Sequence, residues 1–380
     1  MNSFVKLFSL LLIVIICQEC EAQKKFKVEV LFPDSAIAKK TTIEYDNGRS
    51  SSGGIHILNN NHLELSDSFF SIKVVIYIRI KDSSNVYSNA YFIDERPAKF
   101  IFKEFDQTQK KPIFKIINAS SLSDMGEREL NEFTAKEESN AAKYFRENSR
   151  KLSEGDSLTS INANKIILAV TNKRIEFVRR NSNLYYSFWY FKKNIIGNLL
   201  LNPDSLLVFY RNTFPKKFQQ SYDGNQIITF LNGRLISSGK RSIAPNFITS
   251  DIDGKIVNLK NLRGKYVLIS FWATWCLPCV DELPTLNKIR NETDREKLVF
   301  ISVSFDKDIG ALRDGIKKYN MDWTNIYYDE QMSKQYGVSS LPMLFLVDDN
   351  GRIIYSRKTD EKQFTHLTVL KKIIDDLNLK

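Results

Sequence analysis

Cysteine is scarce in this chain, which has 380 residues and only four cysteines, Cys17, Cys20, Cys276 and Cys279. Exported domains that depend on disulfides for their stability carry several pairs. The pair at 276 and 279 would close too short a loop to remove much entropy from the unfolded chain. We therefore interpret this pair as a site of chemistry and not as a structural brace.

Histidine is scarcer still, and its three copies, His56, His62 and His366, are scattered. A zinc site needs about four ligands, usually two cysteine pairs or a set of cysteines and histidines. The sequence does not supply such a set, so it predicts no metal, and nothing in it requires an organic cofactor. Two inert buried thiols would not explain the tryptophans and the proline that flank the pair.

The chain also lacks a long basic run, although its net charge is +11. Lysine and arginine are mixed with aspartate and glutamate, which favours a solvated basic surface over a nucleic-acid interface. With 43% apolar residues, a chain of this length can form two or three domains, each with its own core.

The N-terminus has the features of a secretory signal peptide over residues 1–22. Lys6 supplies a positive charge, and the apolar run 7–16 is about ten residues long, too short for a membrane span. Small residues stand at the −3 and −1 positions of a cleavage site after Ala22. Lipid attachment at Cys17 is the weaker alternative, because a bulky residue precedes it. Cleavage would remove the first two cysteines.

Two regions precede the cysteine pair. Residues 23–118 contain short segments with alternating or β-branched apolar residues, such as "SIKVVIYIRI" (71–80), and predict a β-rich, sandwich-like domain. Residues 119–243 change to helical spacing and predict a helical region with a linker. The aromatic cluster "LYYSFWYF" (184–191) is interpreted as core and not as a binding surface.

Residues 244–380 predict an α/β domain with a mixed central sheet and helices on both faces. "YVLISFW" (266–272) and "LVFISVSF" (298–305) are continuous apolar strands of the buried kind, and each is followed by a helical segment. "MLFLV" and "RIIYSR" flank an Asn350-Gly351 turn and predict a hairpin.

The cysteine pair follows the first of these strands, where the next helix begins. Unpaired N–H groups and the helix dipole favour a thiolate at such a position. We therefore expect Cys276 to be the exposed nucleophile, and Cys279, one turn deeper, to resolve the mixed disulfide. Pro278 suits the first helical turn because it has no N–H that would lack a partner.

These residues resemble the thioredoxin superfamily, and in particular its exported thiol-disulfide oxidoreductases of the TlpA and ResA type. The matching residues are Phe271, Trp272, Ala273, Thr274, Trp275, Cys276, Pro278, Cys279, Glu282 and Pro284. A second segment, "YGVSSLPMLFLVDDNG" (336–351), is similar to the family's cis-proline segment. The resemblance covers about 244–380. The upstream part resembles the β-rich and helical extensions of Bacteroidota envelope proteins.

The resemblance implies roles for several residues. Pro342 would be a cis-proline opposite a redox-active disulfide between Cys276 and Cys279, and the Leu341 backbone would pair with a bound substrate chain. Trp275 would shield one side of the pair, and with Pro278, Leu341 and Pro342 it would line the substrate groove. Glu282, three residues after Cys279 and on the same helix face, would handle protons.

Two departures from the family pattern affect these expectations. Ser270 stands where cytoplasmic thioredoxins have a buried aspartate, so protons must be handled elsewhere. Met343 replaces the threonine that commonly follows the cis-proline, which bears on substrate preference. The pair Leu277-Pro278 contains no histidine to stabilise a thiolate, which favours a reducing protein over an oxidising one.

The sequence thus predicts an enzyme, an exported thiol-disulfide oxidoreductase of the periplasm or cell envelope. It would reduce disulfides in other envelope proteins, with electrons from a membrane partner. One alternative is a partner- or glycan-binding envelope protein with an accessory thioredoxin domain. A thiol peroxidase is disfavoured, because peroxiredoxins have threonine or serine and proline where this chain has Ala273 and Ile269.

Overall fold

The structure is a computed structural model that describes residues 24–48, 53–57, 61–82, 85–238, 242–361 and 367–379. The predicted signal peptide, with Cys17, lies outside the described residues, and so does His366. No helix within the described ranges is long and apolar enough to cross a membrane.

The chain divides into two compact units. The described residues up to 195 and residues 213–225 form the first unit, and residues 196–212 and the described residues from 226 onward form the second. The second unit therefore combines the predicted 244–380 domain with two parts of the region that the sequence analysis placed before it. The Tyr222–Ser238 helix begins in the first unit and continues in the second.

The first unit begins with a β-sandwich, as predicted. One sheet has the strand order β4-β1-β7-β8 and the other β3-β2-β5-β6-β9. Alternate residues of both sheets, such as Val28, Ile43 and Phe100, are buried in one shared core. The strands are β1 (Lys24–Leu31), β2 (Thr41–Asp46), β3 (Gly53–Ile57), β4 (His62–Phe69), β5 (Val74–Asp82), β6 (Asn85–Ile93), β7 (Ala98–Asp106), β8 (Lys111–Ile117) and β9 (Ala119–Ser121).

The rest of the first unit is mainly helical. The aromatic cluster 184–191 forms a helix followed by a π-helix, and Tyr185, Tyr186 and Phe188 are buried, which confirms its interpretation as core. The helices are Ser35–Lys39, Ser123–Met125 (3-10), Glu127–Glu147, Ser149–Ser153, Ser157–Arg180, Tyr185–Tyr190, Phe191–Ile195 (π), Lys216–Gln219 and the first turn of Tyr222–Ser238.

The second unit contains the predicted mixed sheet, in the order β14-β13-β12-β15-β16. Strands β12, β13 and β14 are parallel, whereas β15 and β16 run antiparallel and form the expected hairpin. The strands are β10 (Ile248–Ser250), β11 (Ile256–Asn258), β12 (Tyr266–Trp272), β13 (Leu298–Ser304), β14 (Thr324–Ile326), β15 (Met343–Val347) and β16 (Ile353–Ser356).

Both faces of this sheet are covered, which confirms the predicted fold class. On β12, Leu268 and Trp272 belong to one apolar core, and Val267, Ile269 and Phe271 belong to the other. A strand buried on both faces has a continuous apolar sequence. The helices of the unit are Pro203–Thr213, most of Tyr222–Ser238, Leu259–Leu262 (3-10), Leu277–Glu292, Ile309–Lys318, Glu330–Gln335, Arg357–Asp360 and Thr368–Asp376.

Candidate active site

The candidate site is a disulfide between Cys276 and Cys279, whose Cα atoms are 5.2 Å apart. Strand β12 ends at Trp272, and the Leu277–Glu292 helix begins directly after Cys276. Cys276 is the N-cap of that helix, and its Sγ accepts a hydrogen bond of 3.3 Å from the Cys279 backbone N–H. The pair therefore lies at the end of a helix where backbone N–H groups favour negative charge.

Cys276 is less exposed than the sequence analysis predicted. Its exposed fraction is 6%, against 3% for Cys279, whereas the neighbouring Trp275 and Leu277 are 65% and 75% exposed. The two apolar side chains project beside a small accessible area of sulfur. A reaction partner must therefore reach the Cys276 sulfur along the protein surface that adjoins it.

That surface is an open, mostly apolar groove with a volume of about 490 Å³. Cys276 lines it, and Cys279 is not among its described lining residues. The residues around the groove are Trp275, Cys276, Leu277, Pro278, Phe305, Val338, Ser339, Ser340 and Leu341. The groove thus brings together Trp275, Pro278 and Leu341, which the resemblance placed in a substrate groove.

The segment opposite the pair contains a cis peptide bond between Leu341 and Pro342. Strand β15 begins at Met343, directly after this bond, and Met343 pairs with Phe271 near the end of β12. This antiparallel register brings Pro342 to the edge of the sheet from which Cys276 emerges. The structure therefore places the predicted cis-proline segment beside the disulfide.

Glu282 is buried and has a cationic partner that the sequence analysis missed. Its Oε1 accepts hydrogen bonds from Arg357 Nε at 2.9 Å and Arg357 Nη2 at 2.6 Å. Arg357 is the first residue after β16, 75 positions along the chain from Glu282. The guanidinium compensates the charge of a buried carboxylate. No local sequence signal links two residues so far apart.

Tyr355 lies near Glu282, and its hydroxyl keeps its proton. Burial, with the Glu361 and Glu282 carboxylates nearby, raises the pKa of Tyr355 far above its usual range. The hydroxyl therefore stays protonated, and it donates a hydrogen bond of 3.3 Å to Glu361.

A second buried carboxylate, Asp306, was also missed. It accepts hydrogen bonds from the Thr274 N–H at 3.1 and 3.2 Å, the Thr274 hydroxyl at 2.6 Å and the Ser304 hydroxyl at 2.8 Å. Thr274 belongs to a turn in which the Cys276 N–H donates to the Ala273 carbonyl at 3.1 Å. Asp306 therefore fixes the turn that presents Cys276.

Gly315 packs closely against Thr274, in the same turn. A Cβ atom added at Gly315, on the Ile309–Lys318 helix, would lie only 2.6 Å from Thr274 Cγ2. The sequence contained a usable signal for the position of Asp306 near this turn. Asp306 follows β13 by two residues, and the carboxyl ends of neighbouring parallel strands meet at one edge of a sheet.

The structure describes the side chain of one histidine. His62, in the first unit, lies 3.1 Å from Glu29 on the surface of the β-sandwich. Over the described ranges, no group of three or more His, Cys, Asp or Glu side chains could hold a metal ion.

Known proteins resemble this chain in the part that contains the site. A model of the AhpC/TSA family matches residues 241–356. Thiol-disulfide oxidoreductase ResA of Bacillus thuringiensis subsp. konkukian (strain 97-27) is 34% identical over 131 residues, which are 34% of this chain and 76% of that protein. ResA of Bacillus subtilis (strain 168) is 31% identical over 125 residues, 31% of this chain and 70% of that protein.

A solved structure also aligns with this part of the chain. It is the solution structure of a thiol:disulfide interchange protein from Bacteroides sp., with 25% sequence identity and a TM-score of 0.33. The alignment covers 37% of this chain and 92% of that one.

Proposed function

Because the chain belongs to the family of ResA-type thiol-disulfide oxidoreductases, we propose that it uses the Cys276–Cys279 pair to reduce disulfides in other exported proteins. The observation that carries the proposal is the position of Cys276. It caps a helix and lines an open groove, and its partner Cys279 lies next to it on the buried side.

The reaction begins with the reduced pair. The Cys276 thiolate attacks one sulfur of a client disulfide and forms a mixed disulfide, while the client's other sulfur leaves as a thiolate. Cys279 loses its proton and attacks the Cys276 Sγ, so the mixed disulfide breaks. The client has then gained two electrons and, with two protons, becomes a dithiol. The pair has become the disulfide present in the structure.

We assign roles to the residues in and near the groove, and their positions support these roles. The Leu341 backbone, which precedes the cis bond, would pair with an extended client chain, and Pro342 would hold that backbone towards the groove. Trp275, exposed beside the sulfur, would cover the client on one side. Glu282, on the same helix as Cys279, would accept the proton of the resolving thiol, with Arg357 holding the carboxylate in place.

Electrostatics near the pair supports the reducing direction. The residues between the cysteines are Leu277 and Pro278, which cannot stabilise a thiolate by charge. The Asp306 carboxylate is held by hydroxyl and backbone donors, and no lysine or arginine pairs with it among the described residues. A nearby negative charge disfavours a thiolate and so favours the oxidised pair, which makes the dithiol a better reductant.

The proposal includes export and an electron source. Residues 1–22 would direct the chain to the periplasm or cell envelope, where client disulfides form. Each cycle leaves the pair oxidised, so a two-electron dithiol donor must reduce it again. We propose a membrane protein as that donor, because electrons from reductants in the cytoplasm must be carried across the membrane to reach an exported protein.

Trapping of client proteins tests this proposal. The Cys279→Ser variant lacks the resolving thiol and is expected to accumulate mixed disulfides with clients, visible as adducts on a non-reducing gel that disappear with dithiothreitol. The Cys276→Ser variant, the matched control, is expected to form none. Equal trapping by both variants would contradict the assigned roles, and a parent protein that reduces no protein disulfide would contradict the function.

A further inference from the structure

One turn from the upstream region belongs to the same compact unit as the disulfide. The Asn198 carbonyl accepts a hydrogen bond of 3.3 Å from the Leu201 N–H, and the Asn198 side chain accepts one of 2.9 Å from the Leu200 N–H. Leu199 and Leu200 therefore occupy the two central positions of a tight turn. Both are large apolar residues in a position that usually carries small or polar ones.

One buried side chain, that of Arg234, donates hydrogen bonds to the backbone before this turn and at its last residue. Arg234 Nη1 donates to the Ile196 carbonyl at 2.5 Å, and Arg234 Nη2 donates to the Leu201 carbonyl at 2.9 Å. The guanidinium is a rigid planar group with donors in fixed directions. Two bonds from it to either side of the turn fix the turn's shape and position.

The helix that carries Arg234 is joined closely to the segment that leads into the groove. A Cβ atom at Gly233 would lie 2.4 Å from the carbonyl oxygens of both Lys334 and Gln335. A Cβ atom at Gly337, whose φ is +60°, would lie 2.3 Å from the Arg234 N. The two backbones are therefore in direct contact, and only glycine permits this approach.

The same segment continues as the groove wall, from Val338 to Leu341. The residue before the turn lies close to that wall, because a Cβ atom added at Gly197 would be 3.8 Å from Ser339 Cβ, an ordinary van der Waals distance. Leu199 and Leu200 follow Gly197 by two and three residues, and they are 42% and 39% exposed. A fixed pair of exposed leucines thus lies within a few residues of the apolar groove.

We propose that residues 197–201, the turn together with the glycine before it, form an additional wall of the client-binding surface, and that this wall fits an extended client segment with apolar side chains beside its cysteine. This inference rests on the proposed function, since thiol-disulfide exchange requires a cysteine-bearing polypeptide in the groove. The groove is itself lined mainly by apolar residues, and Gly197, directly before the turn, lies next to Ser339 of its wall. Single exposed leucines are common on proteins, but two at the tip of a fixed turn beside the site form a surface.

The test compares substrates that differ in their flanking residues. The substrates are two peptides with one disulfide each, one with leucine and phenylalanine and one with serine beside the cysteines, and oxidised glutathione. The double variant Leu199→Ser/Leu200→Ser is measured against the parent and against Leu184→Ser, a leucine of equal exposure, 42%, in the first unit.

We expect the double variant to lose roughly five- to tenfold in kcat/KM for the apolar peptide, mainly through KM. Rates with the serine peptide and glutathione should stay unchanged, which also shows that the variant is folded, and Leu184→Ser should match the parent. Unchanged kinetics with all substrates, or an equal loss with all, would overturn the inference and leave the proposed function intact. A parent that reduces none of the three would overturn the proposed function, and the inference with it.

The competing explanation is that Leu199 and Leu200 bind a lipid membrane and not a client peptide. Co-sedimentation with vesicles of phosphatidylethanolamine and phosphatidylglycerol distinguishes it. Binding that the double variant loses, together with unchanged peptide kinetics, would overturn the inference in favour of the membrane. Peptide discrimination without vesicle binding would support it.

Discussion

Two buried carboxylates near the disulfide differ in what surrounds them. Glu282 faces the guanidinium of Arg357, so its charge is compensated within the fold. Asp306 faces only hydroxyl and backbone N–H donors among the described residues. The charge of Asp306 therefore acts on its surroundings more strongly, and the Cys276 turn is the nearest part of the site.

The Asp306→Asn variant tests this effect. Removal of the charge should favour the Cys276 thiolate, so half-maximal alkylation of the reduced protein should occur at a lower pH than in the parent. The amide also loses acceptor capacity towards Thr274 and Ser304, which should lower the free energy of unfolding by about 1–3 kcal/mol. Iodoacetamide alkylation across pH and urea denaturation measure the two effects.

Thr274→Val is the matched control for Asp306→Asn. It removes the hydroxyl donor but keeps the carboxylate, so it should destabilise the protein without the same shift in alkylation. If both variants alkylate with the pH dependence of the parent, Asp306 has a structural role only.

The Glu282→Gln variant tests the proposed proton acceptor. The change keeps the shape of the side chain but removes its ability to take a proton from Cys279, so the pH dependence of disulfide reduction should become flatter. A pH–rate series with a peptide disulfide measures it. Arg357→Gln keeps the carboxylate and should retain a pH-dependent rate. Superimposable profiles for Glu282→Gln and the parent would mean that Glu282 only stabilises the helix.

At the scale of secondary-structure elements, the Tyr222–Ser238 helix is in close contact with the segment that leads into the groove. Ser237 donates a hydrogen bond from its hydroxyl to the Tyr336 carbonyl, and Gly233 lies against the backbone at Lys334 and Gln335. The helix and the groove wall therefore keep a fixed relation within the second unit. This contact also positions Arg234 and the turn that it holds.

The Gly233→Ala variant tests this contact. Alanine has a higher helix propensity than glycine, by about 1 kcal/mol, which would stabilise an ordinary helix. Here the new methyl would lie 2.4 Å from two carbonyl oxygens, so we expect a net loss of about 1–3 kcal/mol in the free energy of unfolding. Gly197→Ala, with its nearest atom at 3.8 Å, should be nearly neutral. Urea denaturation of both variants measures these free energies of unfolding. A Gly233→Ala variant more stable than the parent would contradict the close backbone contact at Gly233.

The elements themselves could be predicted where the signal was local. The apolar run of β12, the Asn350-Gly351 turn and the position of Cys276 at a helix start are all set by neighbouring residues, and the structure agrees with each. The Arg357 partner of Glu282 could not be predicted in this way, because the contact joins distant parts of the chain. The close approach of Gly233 to the groove wall is another such long-range contact.

At the scale of the whole molecule, the disulfide lies in the part of the chain that aligns with its relatives. The matching relatives cover about a third of it, 34% for the first ResA protein, and the disulfide lies in the matched range 241–356. The second compact unit is larger than this range, since it includes residues 196–212 and 226–240. Residues upstream of the predicted 244–380 domain therefore lie within the compact unit that contains the disulfide.

The reduction potential of the Cys276–Cys279 pair tests the central claim most directly. It can be measured on the full chain by equilibration with glutathione or dithiothreitol buffers, followed by thiol trapping. Because Leu277 and Pro278 cannot stabilise a thiolate and Asp306 opposes one, we expect a potential of about −250 mV or lower, in the range of reducing proteins. A value near about −120 mV, as in strong oxidants, would contradict the account and reverse the direction of electron flow.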